Sequence, residues 1–181
     1  MPLSQINSAS IENGSIVPAD LSTGAPSWDS SGNLSATGRL TLPGQPMFFA
    51  YGTGSQSWSG AANTQVVQLT TQTPLNSHPA VFNTSNYTFT APVAGVYMFW
   101  GKITQTGTAT GPSAGLYVNG VAASNVPELI IAYSAAYMSS TGFCALPLAA
   151  NDLVTLRVTN FNNTSVTLDV TRCSFMGYLI G

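Results

Sequence analysis

Few side chains in this sequence could move a proton or hold a metal ion. The single histidine, His78, lies in Asn76-Ser77-His78-Pro79, and the six acids, Glu12, Asp20, Asp29, Glu128, Asp152 and Asp169, are scattered. A His-rich metal site needs a second imidazole or nearby acids, so no metal site is expected and His78 reads as a solvent-facing loop residue. Serines and threonines abound, but none sits in the Gly-x-Ser-x-Gly elbow that presents a nucleophile. A glycosidase pair needs carboxylates about 5 to 10 Å apart, and Glu128 has no acid near it in sequence. Gly52-Thr53-Gly54 and the stretch from Gly101 to Gly111 have neither a lysine at the position a phosphate loop needs nor a following helix, and read as turns. The chain is expected to be no enzyme and to carry no cofactor. What remains is binding. Aromatic rings stack on sugar faces when amides and hydroxyls surround them, which makes Trp58, Tyr133, Tyr137 and Phe161 the candidate ligand-binding residues. Trp58 leads because it sits in a Gly/Ser-rich stretch that reads as a loop.

The elements that must position such residues follow from composition and pattern. Of 181 residues only 6% are charged, against roughly 25% in an average soluble protein, and the net charge is −2. No basic stripe exists to neutralise phosphates, so no nucleic-acid partner is expected. Three Trp, seven Tyr and eight Phe supply more burial than disordered chains possess. No apolar run approaches the roughly 20 residues of a membrane-spanning helix, so no membrane anchor is expected. The start, Met1-Pro2-Leu3-Ser4-Gln5, has no secretory signal and predicts synthesis in the cytosol.

Residues 1–45 contain one aromatic residue, Trp28, and read as an extended arm. Ile6, Ile11, Ile16 and Leu21 recur at every fifth position, which matches neither helix nor strand and suits anchors along a groove on another protein or an arm wound with copies of itself. Turn chemistry at Asp29 to Asn33 predicts a small hairpin between Trp28 and Leu34. Residues 46–181 show short runs rich in Val, Ile, Thr, Tyr and Phe between Gly, Pro and Asn-Gly turns. Strands are predicted at Met47 to Tyr51, Gln65 to Thr71, Asn86 to Thr90, Gly95 to Thr104, Ala114 to Val118, Glu128 to Met138, Gly142 to Leu148, Leu153 to Asn160, Val166 to Asp169 and Cys173 to Ile180. The pattern predicts an all-β antiparallel sandwich, a jelly roll. Cys144 shares a strand face with Leu146 and Leu148, and Cys173 with Phe175 and Leu179. The two are expected to face each other across the sandwich, either as free buried thiols, the preferred reading, or as a disulfide.

Phe89-Thr90-Ala91-Pro92-Val93-Ala94-Gly95-Val96-Tyr97-Met98-Phe99 resembles the signature of the complement globular-head domain and its tumour necrosis factor relatives. Leu146-Pro147-Leu148-Ala149-Ala150-Asn151-Asp152-Leu153-Val154 is similar to that family's Leu-x-Leu, Gly-Asp, Val stretch, with Asn151 in place of Gly. Phe175-Met176-Gly177-Tyr178-Leu179 resembles the closing motif, and Phe48 and Ala50 the opening strand. The resemblance implies a jelly roll whose first, Gly95 and last strands are neighbours in one sheet that faces a threefold axis. Pleat alternation agrees that these strands are apolar on both faces. Met47, Phe49, Tyr51, Met98, Trp100, Met176 and Tyr178 are therefore expected to line a homotrimer interface.

The arm resembles connectors of bacteriophage fibre and decoration proteins, and the collagen stalk of complement proteins is not in the sequence. These resemblances imply a structural virion protein assembled in the host cytoplasm. Ile6, Ile11, Ile16, Leu21 and Trp28 would then attach it to other virion proteins of the capsid or tail. A host surface glycan is the further expected partner, and a bacterial surface protein of the same fold the competing reading.

Overall fold

The computed structural model describes residues 27–28, 30–31, 33–35, 44–60, 62–73, 81–106, 112–124, 129–130, 138–161 and 165–180, with side chains for all of these but 27, 28, 34, 129 and 130. The chain divides into two units, Met1–Leu42 and Pro43–Gly181. In the first, β1 (Ser27–Trp28) pairs with β2 (Leu34–Ser35) in the register Trp28 to Leu34, as the turn residues between them predict. Ile6, Ile11, Ile16 and Leu21 lie outside the described residues, and so does the side chain of Trp28.

The second unit contains, among the described residues, β3 (Met47–Tyr51), β4 (Ser55–Trp58), β5 (Asn63–Val66), β6 (Thr71–Thr73), β7 (Phe82–Asn83), β8 (Thr88–Thr90), β9 (Gly95–Thr106), β10 (Ser113–Val118), β11 (Val121–Ala122), β12 (Leu129–Ile130), β13 (Met138–Leu148), β14 (Leu153–Asn160), β15 (Val166–Asp169) and β16 (Ser174–Leu179). They form two antiparallel sheets of a jelly roll. One is built on β9, which pairs along its length with β13 on one flank and with β16, then β15, on the other. β3 and β6 continue beyond β16, and β4 lies beyond β15. The other is built on β14, flanked by β10 on one side and by β8 and β5 on the other.

Chain entry and exit share one end of this unit. Gln45 Nε2 donates to the Leu179 carbonyl at 2.6 Å, and Leu179 N–H donates to the Pro46 carbonyl. β9 starts at that end and finishes at the other, where Thr106 pairs with Thr167, Trp58 pairs with Val166, and Phe161 links β14 to β15.

The predicted strand from Gln65 to Thr71 is two strands in different sheets. The chain crosses between sheets at 67–70 while Val67 and Leu69 stay buried, so the alternation continues although the pairing partner changes. The predicted strand from Glu128 is seen at Leu129–Ile130, and 131–137 lie outside the described residues. β13 begins at Met138, four residues before the predicted start. β4, read as a loop because Ser-Gln-Ser carries no apolar signal, turns Gln56 inward. There its Nε2 donates to the Val66 carbonyl at 2.9 Å and its Oε1 accepts from Gln68 N–H at 3.1 Å. A buried amide whose polar atoms are bonded to backbone is tolerated in a core.

The core between the sheets is largely aromatic. The Phe48 ring lies 5.1 Å from Phe82, 5.0 Å from Phe89 and 5.0 Å from Phe175, and Phe99 lies 5.6 Å from Phe175. Gly177, opposite Phe99 in the ladder, is required by this packing: a Cβ there would stand 2.6 Å from the Phe99 ring and 2.9 Å from Phe48. Asn119-Gly120 forms the tight turn joining β10 to β11, with φ of 51° and 84°. Asn151, in place of the usual glycine, adopts the left-handed φ of 71° that such a position demands.

Cys144 and Cys173 do not face each other across the sandwich. Both belong to the β9 sheet: Cys144 pairs with Phe99 on one flank, and Cys173 precedes the Ser174–Lys102 pair on the other. Neither forms a disulfide. Burial pushes the Cys173 thiol up to about 11, and its sulfur accepts from Thr104 N–H at 3.3 Å. Burial also raises Cys144.

Two outcomes follow. Gly177→Ala should cost roughly 1 to 3 kcal/mol of stability through overpacking, read by urea denaturation, and an unchanged midpoint would contradict the packing described. In the folded protein at neutral pH, iodoacetamide should label Cys144 slowly and Cys173 only after unfolding, resolved by mass spectrometry of peptides.

Candidate functional site

The register of the β9 sheet places its outward side chains in lateral rows. One row runs Phe49, Met176, Trp100, Phe143 across β3, β16, β9 and β13. The next runs Met47, Tyr178, Met98, Ala145. A third, Tyr51, Ser174, Lys102, Thr141, is polar and closes the patch. All seven residues predicted for a shared interface thus fall on one face. Six apolar or aromatic residues, Phe49, Met98, Trp100, Phe143, Met176 and Tyr178, line an open depression of about 560 Å³.

Phe143 is the member that sequence reasoning missed. It is 72% exposed and pairs directly with Trp100. The signal was present, because Cys144, Leu146 and Leu148 mark the inward positions of β13 and leave Phe143 outward. Apart from Phe143 and Ala145, which are exposed, the members of the first two rows are half-buried by one another rather than covered, and Tyr51 in the third row is exposed at the margin. The patch has no titrating chemistry at its centre. What it offers is burial, at roughly 1.5 to 3 kcal/mol for each large side chain fully removed from water.

The outer face of the other sheet differs in kind. Arg157 lies 4.7 Å from the Tyr117 ring centroid and its Nε donates to Thr155 Oγ1 at 3.0 Å. The hydroxyls of Thr64 and Thr159 are hydrogen-bonded at 2.9 Å. This face is polar, and the face built on β9 is apolar at its centre.

Of the candidate ligand-binding aromatics, Trp58 is corrected. It ends β4 rather than occupying a loop, is half-buried against the core, and donates its indole N–H to the Asn63 carbonyl at 3.3 Å. Phe161 is 54% exposed. Tyr133 and Tyr137 lie outside the described residues, as do His78 and Glu128. Asp152 accepts from Asn119 Nδ2 at 2.8 Å and from Ala149 N–H at 2.8 Å, which holds its carboxyl below the ordinary value, the Asn119 bond first. Asp169 pairs with Arg172 at 3.1 Å. Among the described residues no group of three or more His, Cys, Asp or Glu could hold a metal ion, and no helix is long and apolar enough to cross a membrane.

The profile of the C1q domain matches residues 48–180. No curated protein sequence matches significantly. Solved structures show the same fold at low identity. The globular domain of zebrafish complement 1qA is 18% identical over 75% of this chain and 98% of its own, with a TM-score of 0.50. The tumour necrosis factor Eiger from S. frugiperda is 13% identical over 76% and 93%, with a TM-score of 0.57. Murine APRIL is 11% identical over 75% and 99%, with a TM-score of 0.55.

Proposed function

The chain belongs to the C1q domain family, and from that premise we propose that it is a non-enzymatic structural protein of a bacteriophage particle. In this reading it is a homotrimeric short fibre or decoration protein, whose jelly-roll knob projects from the particle and whose N-terminal arm attaches it to other virion proteins. The observation that supports this best is the apolar ladder from Phe49 to Phe143. An exposed apolar patch of this extent on a monomer is an aggregation hazard, and a second and third copy of the same chain remove it. The sparse charge of the whole chain supports an assembly held by burial rather than by ion pairs. The five-residue spacing of Ile6, Ile11, Ile16 and Leu21 supports an arm laid along another protein.

A second reading, adhesion to a host surface glycan, is favoured by one observation. Phe161 is exposed directly after β14, next to Asn162 and Asn163 in sequence, at the end of the domain opposite to chain entry. Phe161→Ala is the clean probe of it, because Trp58→Ala would remove a packed side chain and confound binding with stability.

Sedimentation equilibrium at micromolar concentration should give three times the chain mass of 18.8 kDa. Phe143→Asp combined with Trp100→Asp should give single chains whose far-ultraviolet spectrum stays β-rich. A wild-type protein that sediments as a single chain would overturn the trimer. Removing residues 1 to 25 should leave the knob trimeric and abolish its incorporation into particles, scored by particle composition; normal incorporation would remove the role given to the arm.

A further inference from the structure

Independently of assembly, the turn between β10 and β11 holds a chemically reactive pair. In Asn-Gly the backbone nitrogen of the second residue is unhindered and can attack the carboxamide carbon of the first. Asn119-Gly120 is exposed, so water and base reach it. Its side chain, however, is braced on both polar atoms. Nδ2 donates to Asp152 Oδ1 at 2.8 Å, and Oδ1 accepts from Leu153 N–H at 2.9 Å. The Asn119 backbone N–H donates to the Leu153 carbonyl at 2.8 Å. These bonds tie both polar atoms of the carboxamide to the entrance of β14.

We propose that Asn119 is a gated deamidation site, kept unreacted by the brace to Asp152 and Leu153, and that its conversion loosens this end of the domain. In the reaction the Gly120 nitrogen bonds to the Asn119 side-chain carbon, and the bond from that carbon to Nδ2 breaks. Nδ2 leaves as ammonia with the Gly120 amide proton. Water then opens the cyclic imide at either carbonyl, giving aspartate or isoaspartate. Closure makes the carboxamide carbon tetrahedral and expels Nδ2, so it requires the bonds that hold Nδ2 and Oδ1 to open.

Conversion removes the Nδ2 donor that bonds Asp152 and sets a carboxylate against the Asp152 carboxylate. The 149–152 loop is tied in turn to Ala91, whose N–H donates to the Asp152 carbonyl at 2.9 Å and whose carbonyl accepts from Asn151 N–H at 2.7 Å. Loss of the brace therefore reaches the end of β8 as well. Isoaspartate also adds a backbone atom to a two-residue turn that both of its residues enter with positive φ.

The test follows the full-length chain in mildly alkaline buffer, with peptide mass spectrometry scoring the amide-to-acid exchange at residue 119. Conversion should be at least about tenfold slower in the native protein than in urea, because it waits on local opening. Asp152→Ala should speed it in the native state and leave the urea rate unchanged, and the converted protein should melt at a lower temperature. Equal rates in native protein and urea overturn the proposal without needing any variant. So does a folded Asp152→Ala protein that converts no faster than wild type, or a converted protein with an unchanged melting temperature.

Discussion

The structure depends on one constraint: the strands β3, β9 and β16 are apolar on both faces, and a single domain has material to cover only one. Inward, Phe48, Phe99 and Phe175 close against Phe82 and Phe89 of the opposite sheet, with Gly177 leaving room for the rings. Outward, Phe49, Trp100 and Met176 occupy the same strands one residue along, with no second layer among the described residues to meet them. A one-residue slip of any of these strands would exchange the two sets, so their register is fixed by packing on the inside and inherited by the outside. Inner core and outer patch are consequently one design rather than two.

The asymmetry between the outer faces gives that constraint its direction. On the β14 sheet, outward residues satisfy one another with hydroxyls and with the Arg157 and Tyr117 pair, as a sheet facing water does. On the β9 sheet the polar groups are pushed to one row, that of Tyr51, Ser174, Lys102 and Thr141. Of the two outer sheet faces described, the one built on β9 is therefore the one suited to burial.

Much of this was legible in the sequence because pleat arithmetic is local. Alternation alone separated Phe48 and Ala50 from Met47, Phe49 and Tyr51, and the Asn119-Gly120 turn declared itself by residue type. The failures arose where a residue's role depends on a distant partner. β4 has no apolar signal, since its inward residue is Gln56, whose place in the core rests on backbone atoms of Val66 and Gln68. Trp58 looked idle in a run of Ser and Gly for the same reason: its strand partner Val166 is 108 positions away in sequence. The Cys144 and Cys173 placement failed because alternation gives a face and not a flank. The bond between Asn119 and Asp152 was not legible because the two residues meet only through the fold.

Burial is strong but undirected, so the proposed trimer needs something else to set its limits and its register. Shape supplies part of this: rows of Met and aromatic side chains form ridges at strand spacing, and a partner must mesh with them. Charge supplies the boundary. Lys102 stands beside Ser174 and Thr141 in a row that contains no acid, and an ammonium taken from water without a counter-charge costs several kcal/mol, more than one large apolar side chain returns. A seam that covers the Phe49 and Met47 rows must therefore stop at Lys102 or leave it hydrated. The sparse charge of this chain thus does its work by position: one lysine at the margin of a greasy face restricts how far copies can slide over one another, where a uniformly apolar face would permit many registers.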